Sequence, residues 1–550
     1  MTVQERIEQL RKLMQKRGID VYYMPNADDH LSDEYTADYF KCKSYMSGFS
    51  GDSGCTIITK DFAGLWTDGR YFTQAEDELE GTGVELMRMG QEGVPTAVNF
   101  AIDNTPENGL LGFDGSVVSS GEALMISDAL KKKNAKMHVD EDLVGMIWND
   151  RPSLPMEKVY VLDTKYTGTD AKQRIEMVRE EMKKKNADVL ILTLLEDPCW
   201  LLNIRGNDIP CTPVTYAFAM VTNDDVFYYV DEEKIVDVKD YLAENGVTCK
   251  AYNALAEDIA SLHNKTIWVQ LSSLNVKLYT NIASDNVIVN EISPIMHFRS
   301  VKNETEIEVM HHAQVKDGVA MVKFIKWIKD TVGEDTMSEV SAQNKLYELR
   351  AEQEDYIEPS FTTISAYQEN GAMMHYTLVL KGHIDLQEAV FLKGSTGNNL
   401  DILARRPMWN INIDYQCGTG HGVGHVLGVH EGIHGIRWGM PTAARPSVPL
   451  EDGMIVTDEP GIYLPHKLGI RIENDLLVVK DTKNFYGQWL KFEAMTYCPY
   501  DLDAIDVNYL EDCEVKAIND YHKMVYEKLS PFLNEEEKAW LKNETREIVK

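Results

Sequence analysis

Residues 5–24, ERIEQLRKLMQKRGIDVYYM, recur in altered form as residues 173–192, QRIEMVREEMKKKNADVLIL. At one constant offset Arg6 matches Arg174, Ile7 matches Ile175, Glu8 matches Glu176, Arg11 matches Arg179, Met14 matches Met182, Lys16 matches Lys184, Asp20 matches Asp188 and Val21 matches Val189. In each copy apolar residues fall at helical spacing, and the helix feeds a short β-rich segment. The pair therefore predicts two related α/β domains in tandem. The two prolines of DRPSLP, residues 150–155, mark a linker between them.

The 550 residues are 44% hydrophobic and 26% charged, enough apolar content for several ordinary cores. Lys and Arg total 55 against 88 Asp and Glu, and the resulting charge of -33 repels phosphate backbones and anionic lipid. Neither nucleic acid nor membrane is an expected partner. The cysteines Cys42, Cys55, Cys199, Cys211, Cys249, Cys417, Cys498 and Cys513 form no C-x-x-C pair, which suits a reducing, cytoplasmic compartment. The first twenty residues read as a charged amphipathic helix and not as a signal peptide, and no apolar run reaches the length needed to span a bilayer.

A third region opens near residue 298. Asn303 followed by Glu306 has the form of a capping box, and the apolar positions Val319, Met321, Val322, Phe324, Ile325 and Ile328 continue a long helix. A second helix is expected over 338–354, a strand over 359–366, and helices over 377–391 and 399–409. A glycine-rich turn follows, then strands over 454–458 and 470–479. The chain ends in a charged helical segment, 534–549.

Only this third region gathers histidines, carboxylates and glycines closely enough to form a site: CGTGHGVGH at 417–425, His430-Glu431-Gly432, Asp458-Glu459-Pro460-Gly461 and Arg471-Ile472-Glu473-Asn474. The glycines at 418, 420, 422 and 424 let the backbone approach a bound group and set His421 on a tight turn. Their spacing is not the G-x-G-x-x-G of a nucleotide loop. Glu459 and Glu473 fall at the facing ends of two strands joined by a turn, which could bring both carboxylates to one ion. Two oxygen donors and one imidazole suit Mn²⁺, Zn²⁺, Co²⁺ or Fe²⁺, and such an ion acidifies water enough for hydrolysis at neutral pH.

These residues resemble the aminopeptidase P (Xaa-Pro aminopeptidase) branch of the pita-bread metallopeptidases. The likeness also runs through WTDGRYF at 66–72 and WLLNIRG at 200–206, and so covers nearly the whole chain. It implies an α/β (α+β) fold: two creatinase-like domains at 1–152 and 153–298, a pita-bread domain at 299–497 and a C-terminal extension at 498–550. It further implies a cytoplasmic homodimer that removes the N-terminal residue from peptides with proline in second position. Its dinuclear site would usually be loaded with Mn²⁺, with Zn²⁺ and Co²⁺ as alternatives. Prolidase-type dipeptidases of the same fold are shorter.

Carried over position by position, the resemblance makes His421, Glu459 and Glu473 metal ligands. It makes His375 and His430 the histidines that hold the substrate and the tetrahedral intermediate. Arg70 becomes an arginine reaching the substrate, and Arg471 the support of the metal carboxylates. Cys417 stands where many relatives have histidine. The chain departs from the family between His375 and the helix near 377, where relatives carry a long insert with two aspartate ligands. Here Tyr376 runs straight into Thr377, and neither aspartate has a counterpart. Asp385, Asp401 and Asp414 lie in the interval but match non-ligand positions. The expected consequences are a pita-bread domain short of one strand pair, ligands for one ion or none, and an enzyme that is impaired or an inert scaffold if three ligands do not suffice.

Overall fold

The computed structural model describes residues 1–32, 34–333, 337–366, 376–415, 417–441, 447–464 and 468–550. It divides into two units, Met1–Leu162 with Thr169–Ile295, and Asp163–Gly168 with Met296–Lys550.

In the first unit the repeated sequence becomes repeated structure. The helix Val3–Arg17 is closed by a capping box between Thr2 and Glu5 and ends at Gly18 in the left-handed conformation. The helix Ala171–Lys185 has the same box between Asp170 and Gln173, with Asn186 in the left-handed position. The first copy leads into a sheet of β1 (Val21–Pro25), β2 (Cys55–Thr59), β3 (Ala63–Thr67), β4 (Glu85–Arg88), β5 (Leu110–Gly112) and β6 (Lys136–His138). Its order is β4-β3-β2-β1-β5-β6. A short ribbon joins β7 (Tyr160–Val161) to β9 (Ile204–Arg205). The second copy leads into β8 (Val189–Leu192), which sits in a sheet with β10 (Phe218–Thr222), β11 (Val226–Tyr229), β12 (Val247–Lys250), β13 (Thr266–Trp268) and β14 (Val287–Val289). The order here is β12-β11-β10-β8-β13-β14. Strand directions repeat too: β1 is antiparallel to β2 and parallel to β5, as β8 is antiparallel to β10 and parallel to β13. Along β1, Tyr22 and Met24 enter one apolar core while Val21 and Tyr23 enter another, as period-two alternation requires of a strand covered on both faces.

The second unit opens with the long helix Glu304–Thr331, closed by the expected box between Asn303 and Glu306, and continues with the helix Glu339–Ala351. Two sequence expectations change here. Residues 359–366 form no strand, and Ile357, Phe361 and Ile364 are 60%, 40% and 82% exposed. A segment of strand-like composition with no neighbour to complete its ladder leaves its backbone to water. The helix expected over 377–391 runs only over Tyr376–Gln387, and its end becomes a strand, β15 (Val390–Leu392), which pairs at the sheet edge.

The remaining strands are β16 (Gly420–Gly422), β17 (Glu431–Ile436), β18 (Ile455–Asp458), β19 (Gly461–Leu464), β20 (Leu468–Arg471), β21 (Asn474–Asn484) and β22 (Gly487–Ala494). The third sheet has the order β15-β22-β21-β18-β16-β17, and β19 pairs with β20. Of its six strands only β15 precedes residue 415, so the sheet is one-sided in sequence, in keeping with the expected loss of a strand pair. The helices Tyr376–Gln387 and Gly397–Trp409 pack closely because Gly382 has no Cβ; one would stand 2.2 Å from the Ala404 carbonyl oxygen. Helices Asp512–Leu529 and Glu535–Glu544 close the chain, the second within the charged segment expected to be helical. The first was not anticipated; Ile518, Tyr521, Val525 and Leu529 bury its apolar face.

Candidate metal centre

The strands β18 and β21 form one antiparallel ladder ending at the Asp458–Asn474 pair, and β19 and β20 resume it in the same register at the Gly461–Arg471 pair. Pro460, with no N–H to donate, stands in the break. Glu459 and Glu473 therefore face each other across the interruption, where opposite residues of an antiparallel pair project together.

His421 is carried by β16, which lies beside β18. The strands come this close only because residue 420 is glycine: a Cβ there would lie 1.8 Å from the Thr457 carbonyl oxygen. The Thr457 hydroxyl accepts from the His421 backbone N–H at 3.0 Å and donates to Glu459 Oε1 at 3.1 Å, tying two donors to one side chain. Nε2 of His421 lies 3.3 Å from Glu459 Oε1. Its Nδ1 donates to the Gly422 carbonyl at 2.9 Å, which leaves Nε2 as the atom with a lone pair. Among the described residues one group of three metal-ligating side chains forms. It is His421, Glu459 and Glu473, whose donor atoms all lie within 4.8 Å of one another.

The electrostatics of this cluster are those of a site built for a cation. Burial and the like charge of Glu459 push the Glu473 carboxyl up to about 7, and burial also raises Glu459, against the pull of Arg471. The Arg471 guanidinium, Nη1 3.2 Å from Glu459 Oε2, stays charged despite burial because Glu459, Tyr463 and Glu473 face it. One nitrogen and two carboxylates suit Mn²⁺, Zn²⁺ or Co²⁺, so the residues present fit a divalent ion.

Of the other residues singled out in the sequence, His430 packs its ring 4.1 Å from that of His421, centroid to centroid. Cys417 is partly buried, its thiol raised by burial. His375 lies outside the described residues. Arg70 belongs to the N-terminal unit, where its Nε and Nη2 each donate to Asp68 at 2.9 Å. Against the effect of burial, hydrogen bonds from Arg70 and Ser53 hold Asp68 down at about 2.

Two supports were missed in the sequence. Arg405 is fully buried and donates to Asp401 and Asp414 at 2.7 Å, to the Tyr415 carbonyl at 2.8 Å and to the Cys417 carbonyl at 2.9 Å, fixing the loop that leads into His421. The i, i+4 spacing of Asp401 and Arg405 on one helix was its only sequence signal. His383 and Asp458, both fully buried, approach to 3.2 Å behind Glu459; nothing in the sequence paired them. Asp401 and Asp414 thus serve Arg405, and Asp385 lies beside Glu514 and Lys381.

The sequence matches the Metallopeptidase family M24 over residues 308–378 and 375–480, the C-terminal region of peptidase_M24 over 488–548, and the Creatinase/Prolidase N-terminal domain over 6–142 and 150–306. It is 36% identical to the probable Xaa-Pro aminopeptidase P of Pyrenophora teres f. teres over 609 positions, covering 98% of this chain and 92% of the relative. The chain belongs to metallopeptidase family M24. Among its M24 relatives, aminopeptidase P2 of Arabidopsis thaliana is 34% identical, with 100% of this chain and 89% of that protein covered. The X-prolyl aminopeptidase of Caenorhabditis elegans, a cytosolic enzyme with a di-nuclear active site, superposes with a TM-score of 0.93 at 29% identity and full coverage of both chains. Two creatinase-like domains and a pita-bread domain are therefore the architecture of this M24 chain.

Proposed function

We propose that this protein is a metal-dependent Xaa-Pro aminopeptidase that removes the N-terminal residue from peptides with proline in second position. The observation that carries the reading is the convergence of His421, Glu459 and Glu473 within 4.8 Å in an M24 chain. We take these three as the ligands and Mn²⁺ as the ion, with Zn²⁺ and Co²⁺ able to use the same donors. When bound, such an ion supplies Lewis acidity, acidifying a water and polarising a peptide carbonyl.

The chain's own groups do the rest. Thr457 and Arg471 hold Glu459 from its two oxygens, and the Gly422 carbonyl keeps the proton of His421 on Nδ1. We assign to His430, which meets the His421 ring edge to face, and to His375 the task of donating to the substrate carbonyl as negative charge develops there. We assign Arg70 to the substrate end. We further propose domain limits near 152, 298 and 497, a homodimer by family resemblance, and a cytoplasmic location. The eight free cysteines and the cytosolic C. elegans relative support that location. No helix among the described residues is long and apolar enough to cross a membrane.

The test is Mn²⁺-dependent release of the first residue from an Xaa-Pro-Xaa peptide, with Glu459→Ala as control. Turnover that falls at least about a hundredfold in the control is expected. A folded chain that releases nothing, or that cleaves Xaa-Pro dipeptides alone, would overturn the reading.

A further inference from the structure

The geometry points to one divalent ion per chain, where the C. elegans relative holds two. We infer that this M24 protein is a mononuclear member of a dinuclear family, a conclusion that rests on the reading of His421, Glu459 and Glu473 as ligands.

Three independent observations carry it. First, the donor group stops at three among the described residues. Of the nearby carboxylates, Asp475 accepts from Gln314 Nε2 at 2.6 Å and Asp401 and Asp414 clamp Arg405, while Asp458, 3.2 Å from His383, is not part of the group. Second, Glu459 is held at both oxygens by the protein itself. Its Oε1 looks toward His421 and takes the Thr457 hydroxyl, while Oε2 stands 3.2 Å from the Arg471 guanidinium, a positive charge already beside the cluster. That guanidinium repels every cation that enters, and a second divalent ion would also meet the charge of the first. Third, the chain is short at the right place. Its alignment to the Pyrenophora relative spans 609 positions against 550 residues, and the two M24 matches meet at 375–378. Just before that junction residues 359–366 lie outside the sheet.

Three protein ligands with open positions are enough for a catalytic ion, so a mononuclear site is compatible with hydrolysis. The test counts metal directly. The metal-free full-length protein is titrated with Mn²⁺, free Mn²⁺ is read by electron paramagnetic resonance, and protein-bound Mn²⁺ is measured by elemental analysis after gel filtration. The expected result is one equivalent per chain, without the spectrum of a spin-coupled pair. Binding should weaken at least about tenfold in Glu459→Gln and in Glu473→Gln. Each variant is first checked for folding by circular dichroism, and either one that folds reports on the site. Two equivalents, or a coupled pair, would overturn the inference and leave the peptidase reading standing. No bound Mn²⁺ on a folded chain would overturn it as well, and the Xaa-Pro cleavage assay then decides separately whether the reaction survives.

Discussion

The side chains that would touch the ion are only half of the centre; those that hold the backbone around them are the other half. Thr419 shows how. Its hydroxyl donates to Asp401 Oδ1 at 2.5 Å and lies 2.6 Å from the Tyr415 hydroxyl, while its carbonyl accepts from the Glu459 N–H at 2.8 Å. One residue thus links the Arg405 clamp to Glu459, a ligand in our proposal. Thr419→Val keeps the shape and removes the hydroxyl, leaving the Asp401 oxygen with one donor fewer. It should destabilise the protein by about 1–2 kcal/mol and weaken Mn²⁺ binding about tenfold. Urea titration reads the first and metal titration the second, and unchanged metal affinity would show that Arg405 alone holds the loop. The donors themselves could be read from residue type and spacing. Thr419 and Arg405 could not, because they act through backbone carbonyls that any sequence would carry.

Among the strands, the decisive contact is the close approach of β16 to β18. Gly420→Ala would drive a Cβ into the Thr457 carbonyl, whereas at Gly418 a Cβ would meet its nearest atom, the Ile436 carbonyl oxygen, at an ordinary 3.8 Å. The first substitution should cost about 3 kcal/mol or more and the second less than about 0.5 kcal/mol. Urea midpoints of the two variants check this, and equal midpoints would mean that the strands can separate freely. The alternating glycines of 418–424 are therefore unequal, a distinction that composition could not make. Residues 359–366 teach the converse. Their Phe, Thr and Ile content predicts a strand, yet strand propensity describes fit to a neighbour, and none pairs with them among the described residues.

Among the described residues, His30, His434 and His522 are buried in a form that resists protonation. His30 hydrogen-bonds the Thr193 carbonyl at 2.6 Å and the Tyr252 hydroxyl at 2.9 Å, linking the two repeated halves of the N-terminal unit. His434 donates to the Ile455 carbonyl, and His522 accepts from the Tyr500 N–H at 3.0 Å. Burial lowers them to about 3, 4 and 4 respectively. For each, the unfolded chain takes up a proton near pH 6.5 while the folded chain does not until well below. The stability they contribute is therefore complete above pH 6.5 and is lost as pH falls toward 4. For His522 the limit is about 3 kcal/mol. Relative to His522→Gln, the wild-type protein should lose stability over that window, measured as the difference in urea midpoint at pH 7 and at pH 4.5. A difference that does not change with pH would mean that His522 titrates normally.

The amino-acid sequence established the tandem α/β repeat and the helix cap at Asn303, and it picked out the three side chains we propose as metal donors. Each of these is a local property: a period, a cap or a residue type at a fixed spacing. Where the chain is short came from the family it resembles. Tertiary structure decided the rest. Glu459 meets Glu473 because one register runs through both sides of a broken ladder, and Arg471 takes the second oxygen of Glu459 because that register places it there. Arg405 reaches the loop before His421 because its helix packs beside it. Such pairings depend on contacts between segments far apart in the chain, which no local pattern records.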